Sequence, residues 1–197
     1  MSHANSPNVP DDESDRPDSI DRPDRIDVPL DRDRFMRKLL RELSGALEEQ
    51  IGLEEATGFI SVVGLNIGNQ LDRDYRAALG VERLSRAQLG SVLVDLKQRI
   101  DGDFYIIEQD EDKIVLGNRA CPFGEEIADR PSLCMVTSNV LGVIAAESSG
   151  YAKIALEETI ADGHPGCRVV VHLKPGGDAD AAEGSEYYRG TEYNDTP

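Results

Sequence analysis

The apolar residues of this chain change their period once, near Gly102, and that change limits the folds open to it. Before Gly102 they recur every three or four positions, and after it they run in short blocks separated by turns. The first pattern buries one face of a helix, and the second buries a strand. Phe35, Leu39, Leu40, Leu43 and Leu47 predict a helix over about 32–50, buried along that stripe, charged on its other face and ended by Gly52. Phe59, Val62, Val63, Ile67, Leu71 and Tyr75 predict a second over about 53–79, closed by Gly80. Gly64 and Gly68 lie one turn apart inside it, a spacing that lets another element approach closely. Ser85 and Gln88 form a capping box for a third helix over about 86–100, whose buried stripe is Leu89, Val92, Leu93, Leu96 and Ile100.

Beyond Gly102, Phe104–Glu108 and Lys113–Asn118 read as a hairpin around a charged turn. Pro131 opens a helix over about 132–147. That helix is apolar on nearly all sides, through Leu133, Val136, Val140, Leu141, Val143 and Ile144, so it belongs at the centre of the fold. Tyr151–Ile160 and Cys167–Leu173 complete the strands. The expected fold class is α+β: three N-terminal helices, then β-β-α-β-β forming an antiparallel four-stranded sheet with helices on one side. One domain is expected over 31–174, with a helical part at 31–101 and a cysteine-bearing α+β part at 102–174.

Both ends are acidic and poor in apolar residues. Aspartate recurs at every third position from Asp12 to Asp27, among four prolines. This spacing lacks the Gly and the terminal Glu of a calcium loop, so residues 1–30 are expected to be disordered. Residues 175–197, rich in Gly and carrying Tyr187, Tyr188 and Tyr193, are expected to be a second loose tail. The net charge of −17 and the absence of a Lys/Arg stripe argue against nucleic-acid binding. No apolar run is long enough to span a bilayer, and the N-terminus has no signal-peptide pattern, so a cytoplasmic location is expected. An odd count of three cysteines also fits a compartment with reduced thiols.

Those cysteines, Cys121, Cys134 and Cys167, each lie beside turn residues in the C-terminal half, which points to one shared thiol site. With His164 they would supply the four ligands of a structural zinc. Three thiolates could instead hold an iron–sulfur cluster with one iron left open. Cys134, in the first turn of a helix, could also be a redox-active thiolate favoured by the helix dipole. Equally, free cysteines pack in cores as small hydrophobes. His172, near a strand end, reads as structural. Glu157 and Glu158 point to opposite faces of a strand, so one at most can face a cavity. The motifs of serine hydrolases, P-loop proteins and zinc peptidases are missing from the sequence, and no enzymatic activity is expected.

Residues 104–173 resemble the small-molecule-binding domain named after four-vinyl reductase. The resemblance rests on Cys121-Pro, Pro131-Ser-Leu-Cys134, Gly142 within an apolar helix, and Glu157-Glu-Thr-Ile-Ala161-Asp-Gly163-His-Pro-Gly-Cys167. Leu133-Cys-Met-Val-Thr-Ser-Asn-Val-Leu-Gly142 followed by Glu158-Thr-Ile-Ala is similar to methanogen output domain 1, and this resemblance reaches back through the helices from about residue 34. Thr159 stands where the vinyl-reductase pattern has a further cysteine, and His164 where it has an acidic residue. The resemblance implies a sensory or output signalling domain that binds a small hydrophobic ligand or a metal and regulates a protein partner. Its site would lie between helix 132–147 and the sheet, with Val140, Ile144 and Glu158 against the ligand and the cysteines at the mouth. A homodimer through the N-terminal helices is expected. A small zinc or iron–sulfur metalloprotein is the alternative. An enzyme acting on lipid-like or tetrapyrrole substrates is a third reading, which no acid/base constellation supports.

Overall fold

A computed structural model describes residues 28–190. The expected tail at 1–30 falls almost wholly outside the described residues, as does Tyr193. Three helices come first: α1 (Arg32–Ile51), α2 (Leu53–Leu79) and α3 (Arg86–Gln98). Asp31 caps α1 by accepting from the Arg34 amide at 2.8 Å, and Ser85 and Gln88 make a reciprocal capping box on α3. Next come β1 (Phe104–Gln109), β2 (Lys113–Asn118), α4 (Pro131–Ser149), β3 (Tyr151–Glu158), β4 (Cys167–His172), α5 (Asp178–Ala181) and β5 (Ser185–Tyr188). Short 3₁₀ turns at Gly124–Ile127 and Ile160–Asp162 lead into α4 and follow β3.

The sheet is antiparallel throughout, in the order β1-β2-β4-β3-β5. It has five strands, not the expected four, because the segment read as a loose tail supplies β5. Tyr151↔Tyr188 through Ile154↔Ser185 pair β5 with β3. Tyr187 is buried and its hydroxyl lies 3.1 Å from Ser138 Oγ on α4. Its ring packs where a side chain on Gly142 would stand. Residues 175–190 are therefore part of the fold: one deeply buried aromatic outweighs the polar composition around it.

α3 and α4 pack on one face of the sheet around Leu93, Ile114, Leu116, Leu141, Ile144, Ile154 and Val171. A smaller cluster of Val115, Ala155 and Val170 lies on the opposite face, where Ala182 packs against it. α2 packs on α4, and this closeness explains the two glycines. A β-carbon on Gly64 would meet Asn139 Cβ at 2.7 Å, and one on Gly68 would meet Val143 Cβ at 3.0 Å. α4 is thus enclosed by the sheet and by α2, as its all-round apolar sequence requires.

The stripes of α1 and α2 are placed differently from expectation. Phe35, Leu39, Leu40 and Leu43 of α1 are exposed, as are Phe59, Val63 and Ile67 of α2. The buried positions are small instead: Ser44 and Gly45 on α1, and Ala56, Gly64 and Gly68, with Ile60 and Asp72, on α2. Close helix approach selects small residues, so the larger side chains are turned outward.

Candidate functional site

Three separate stretches of backbone bring the cysteines to one place. Cys121 follows β2, where its carbonyl accepts from the Gly124 amide at 2.8 Å and turns the chain toward α4. Cys134 lies in the first turn of α4. Cys167 opens β4 in register with Asn118 of β2. All three line a cavity of about 30 Å³ together with Phe104, Phe123 and Thr159. That is room for one or two waters at most. Cys167 Sγ accepts from the Ile160 amide at 3.4 Å and from Asn118 Nδ2 at 3.7 Å. Thr159, which stands in place of a further cysteine, is buried on the same wall, and its hydroxyl donates to Asp162 at 2.6 Å.

The cavity favours the neutral form of Cys121 and Cys134. Burial pushes Cys121 up, and it pushes Cys134 up to about 12, with the neighbouring sulfurs adding to the effect. The first-turn position of Cys134 was expected to favour thiolate. Desolvation wins instead, because the dipole contributes at most about 2 kcal/mol while burying an anion costs several.

Beside the thiols lies a cation that helix periodicity alone did not single out. Lys97 of α3 is 3% exposed, and its ammonium donates to Thr137 Oγ1 on α4 at 2.9 Å. It stands 5.6 Å from the centre of the Phe104 ring. Burial lowers its pKa to about 8, while the three cysteines pull the other way. The available signal was its position four residues after Leu93, on the apolar arc of its own helix.

Lys97 lines a different, larger space. A groove of about 630 Å³ runs between α1, α2, α3 and α4, walled by Leu40, Ile67, Leu71, Leu96, Val136 and Val140. Pro122, Phe123 and Thr137 line both spaces and form the partition between them. Helix α1 forms one wall of the groove and is tied to the segment that closes the thiol cavity. Arg41 donates to the carbonyls of Glu126 and Ala128 at 2.7 and 2.6 Å. Glu48 accepts from Ser132 Oγ and lies 3.8 Å from Arg130.

The remaining expected site residues fall apart. Val140 lines the groove rather than the thiol cavity. Ile144 is fully buried in the main core, away from both spaces. A bulge between Leu156 and Glu158 ends the strict alternation of β3, and Glu158 is exposed. Glu157 is exposed as well and pairs with Arg168 at 2.7 Å, so neither glutamate faces a cavity. His164 is exposed in the turn after Gly163, and its amide donates to the Thr159 carbonyl at 3.2 Å. Among the described residues no group of three or more Cys, His, Asp or Glu side chains is placed to hold a metal ion.

Fold and cavities together define an α+β domain whose antiparallel sheet carries a helical cover over an apolar pocket. The chain belongs to the methanogen output domain 1 family, whose model matches residues 39–172. No curated protein matches it. Among solved structures it is similar to the phenol-responsive sensory domain of the transcription activator PoxR, determined with phenol. That likeness has a TM-score of 0.50 and 15% identity, and covers 79% of this chain and 81% of the other. It is a likeness of fold. The chain is also similar to a trafficking protein particle complex subunit 3 from Naegleria fowleri, covalently bound to palmitic acid. Here the TM-score is 0.48 with 14% identity, over 72% of this chain and 97% of that one.

Proposed function

We propose that this chain is a non-enzymatic sensory and output domain that binds a small apolar ligand and passes the change to a protein partner through α1. The observation that carries the reading is the double role of α1. It walls the larger groove through Met36 and Leu40, and Arg41 latches it to the turn that closes the thiol cavity. A molecule filling the groove contacts both α1 and the Pro122–Phe123 partition, so its affinity depends on where α1 sits, and occupancy and helix position are coupled. The groove's volume lies within the range of small-molecule sites, roughly 300–1,000 Å³. The output-domain family and the sensory fold of the PoxR domain support the same reading. The three free thiols fit a reducing compartment such as the cytoplasm.

The signal would leave through a second copy of the chain. The exposed apolar residues of α1 and α2 form one candidate face, and the charges of α1 are segregated along its length. Arg32, Arg34, Arg37, Lys38 and Arg41 occupy its first half, where Asp33 is the one acid and pairs with Arg37, and Glu42, Glu48 and Glu49 occupy its second.

Calorimetric titration of the full chain with phenol, octanol and benzyl alcohol tests the ligand, and amide exchange along α1 tests the relay. Binding of any of these probes, lost in Val140→Trp and accompanied by altered exchange in α1, is the expected result. Failure of all of them and of the corresponding carboxylic acids to bind, or binding that leaves α1 unchanged, defeats the reading.

A further inference from the structure

Lys97 is a buried cation without a buried anion. Its ammonium has one hydrogen-bond acceptor, Thr137 Oγ1, and lies over the Phe104 ring, 5.6 Å from its centre. Among the described residues no carboxylate lies within ion-pair distance of it. The carboxylates that share the groove are engaged or at its rim: Asp33 pairs with Arg37, and Asp101 is exposed. The nearest ionisable groups are the three cysteines, and burial keeps Cys121 and Cys134 protonated. A buried charge costs several kcal/mol unless it is paired, and an ammonium has three protons to place. An arrangement of this kind is expensive to keep for packing alone, since an uncharged side chain of the same length would fill the same space.

Resting on the ligand-binding reading above, we propose that Lys97 is the anchor for the acidic head of the ligand. The ligand is then an apolar acid, a carboxylate or a phenolate, with its hydrocarbon part in the groove between α1, α2 and α4. The geometry suits that division. Lys97 and Thr137 sit where the apolar groove meets the thiol cavity, so the head group reaches an ammonium and a hydroxyl together. The walls beyond, Leu40, Ile67, Leu71 and Val136, offer hydrocarbon contact only. The Lys97 pKa of about 8 leaves it largely charged at neutral pH, as the pairing requires.

The test compares acids with alcohols of the same skeleton on the full chain. Hexanoate, octanoate, decanoate and benzoate are titrated against hexanol, octanol, decanol and benzyl alcohol by calorimetry. At least one acid should bind about tenfold or more tightly than its alcohol, the usual worth of a charged hydrogen bond in a buried site. Lys97→Met should bring the pair to parity while leaving the alcohol's affinity in place, and should raise the Tm of the ligand-free protein by removing the unpaired charge. Lys97→Gln, which keeps a hydrogen-bond donor to Thr137, gives the same comparison should the Met variant fold poorly. Alcohols that bind as tightly as their acids overturn the anchor and leave the ligand pocket standing. Silence from every acid and every alcohol overturns both. A lower Tm in both variants, with the acid preference retained in either, also overturns the anchor, since Lys97 would then be structural.

Discussion

His172 lies on β4 in register with Lys113 of β2 and Lys153 of β3. Burial lowers its pKa below the usual 6.5, and both lysines add to this, while Asp178 and Glu157 pull the other way. A histidine kept neutral by the fold binds its proton more readily in the unfolded chain. Its contribution to stability is therefore complete above about pH 6.5 and falls as the pH drops through the depressed native value. Urea unfolding across that interval should show stability declining toward acid, with a shallower decline in His172→Gln. Cys134 gives a second measurement at this scale. With its pKa pushed up to about 12, its thiolate at pH 8 is on the order of one part in ten thousand. Iodoacetamide should alkylate Cys134 far more slowly in the native protein than in urea, and a rate like that of an open peptide thiol would contradict the burial argument. The chemistry of both residues departs from solution values chiefly through desolvation, with neighbouring charged groups adding to it, and sequence spacing expresses neither.

Helix α2 depends on α4 through its glycines. Neither Gly64 nor Gly68 has positive φ, so the requirement is space rather than backbone freedom. Gly64→Leu places a side chain where Asn139 Cβ and Val136 already stand, at 2.7 and 3.3 Å from the new β-carbon. Overpacking of this kind costs about 1–3 kcal/mol, and a lower urea midpoint should record it. Gly58, on the same helix, is the control, because a β-carbon there would have nothing within 4 Å. Gly58→Ala should stabilise by up to about 1 kcal/mol through helix propensity. Element boundaries were largely legible in sequence: the extents of α2, α3 and α4, the Ser85 capping box and the glycine closing α2 stand close to where the spacing put them, though Ile100, read as part of the α3 stripe, is exposed beyond its end. β5 was not legible. Four residues with one buried tyrosine carry too little alternation to separate a strand from a tail.

For the whole molecule, the exposed apolar face of α1 and α2 is the main consequence. Phe35, Leu43, Phe59 and Val63 are each more than half exposed. Large apolar side chains left exposed in this number on two packed helices mark a candidate interaction surface. Light scattering should give twice the 21.6 kDa chain mass, and Leu43→Glu combined with Phe59→Glu should return the monomer with its Tm little changed. A monomeric wild-type chain would remove the second copy from the reading and leave the pocket as it is.

What the sequence determined by itself is the local order: three amphipathic helices, a change of period at Gly102, and an apolar central helix between two pairs of strands. These follow from side-chain spacing, which acts over a few residues. The family pattern was readable for the same reason, because Cys121, Cys134 and Cys167 sit in short motifs beside turns. Only the tertiary structure decided that burial raises the Cys121 and Cys134 thiols, that His164 is left outside the cavity, and that Lys97 is buried where Thr137 divides the cavity from the groove. It also decided which faces of α1 and α2 are buried, since small residues admit a neighbouring helix and large ones do not. Those outcomes depend on desolvation and close packing between segments remote in the chain, and neither exists until the helices close over the sheet.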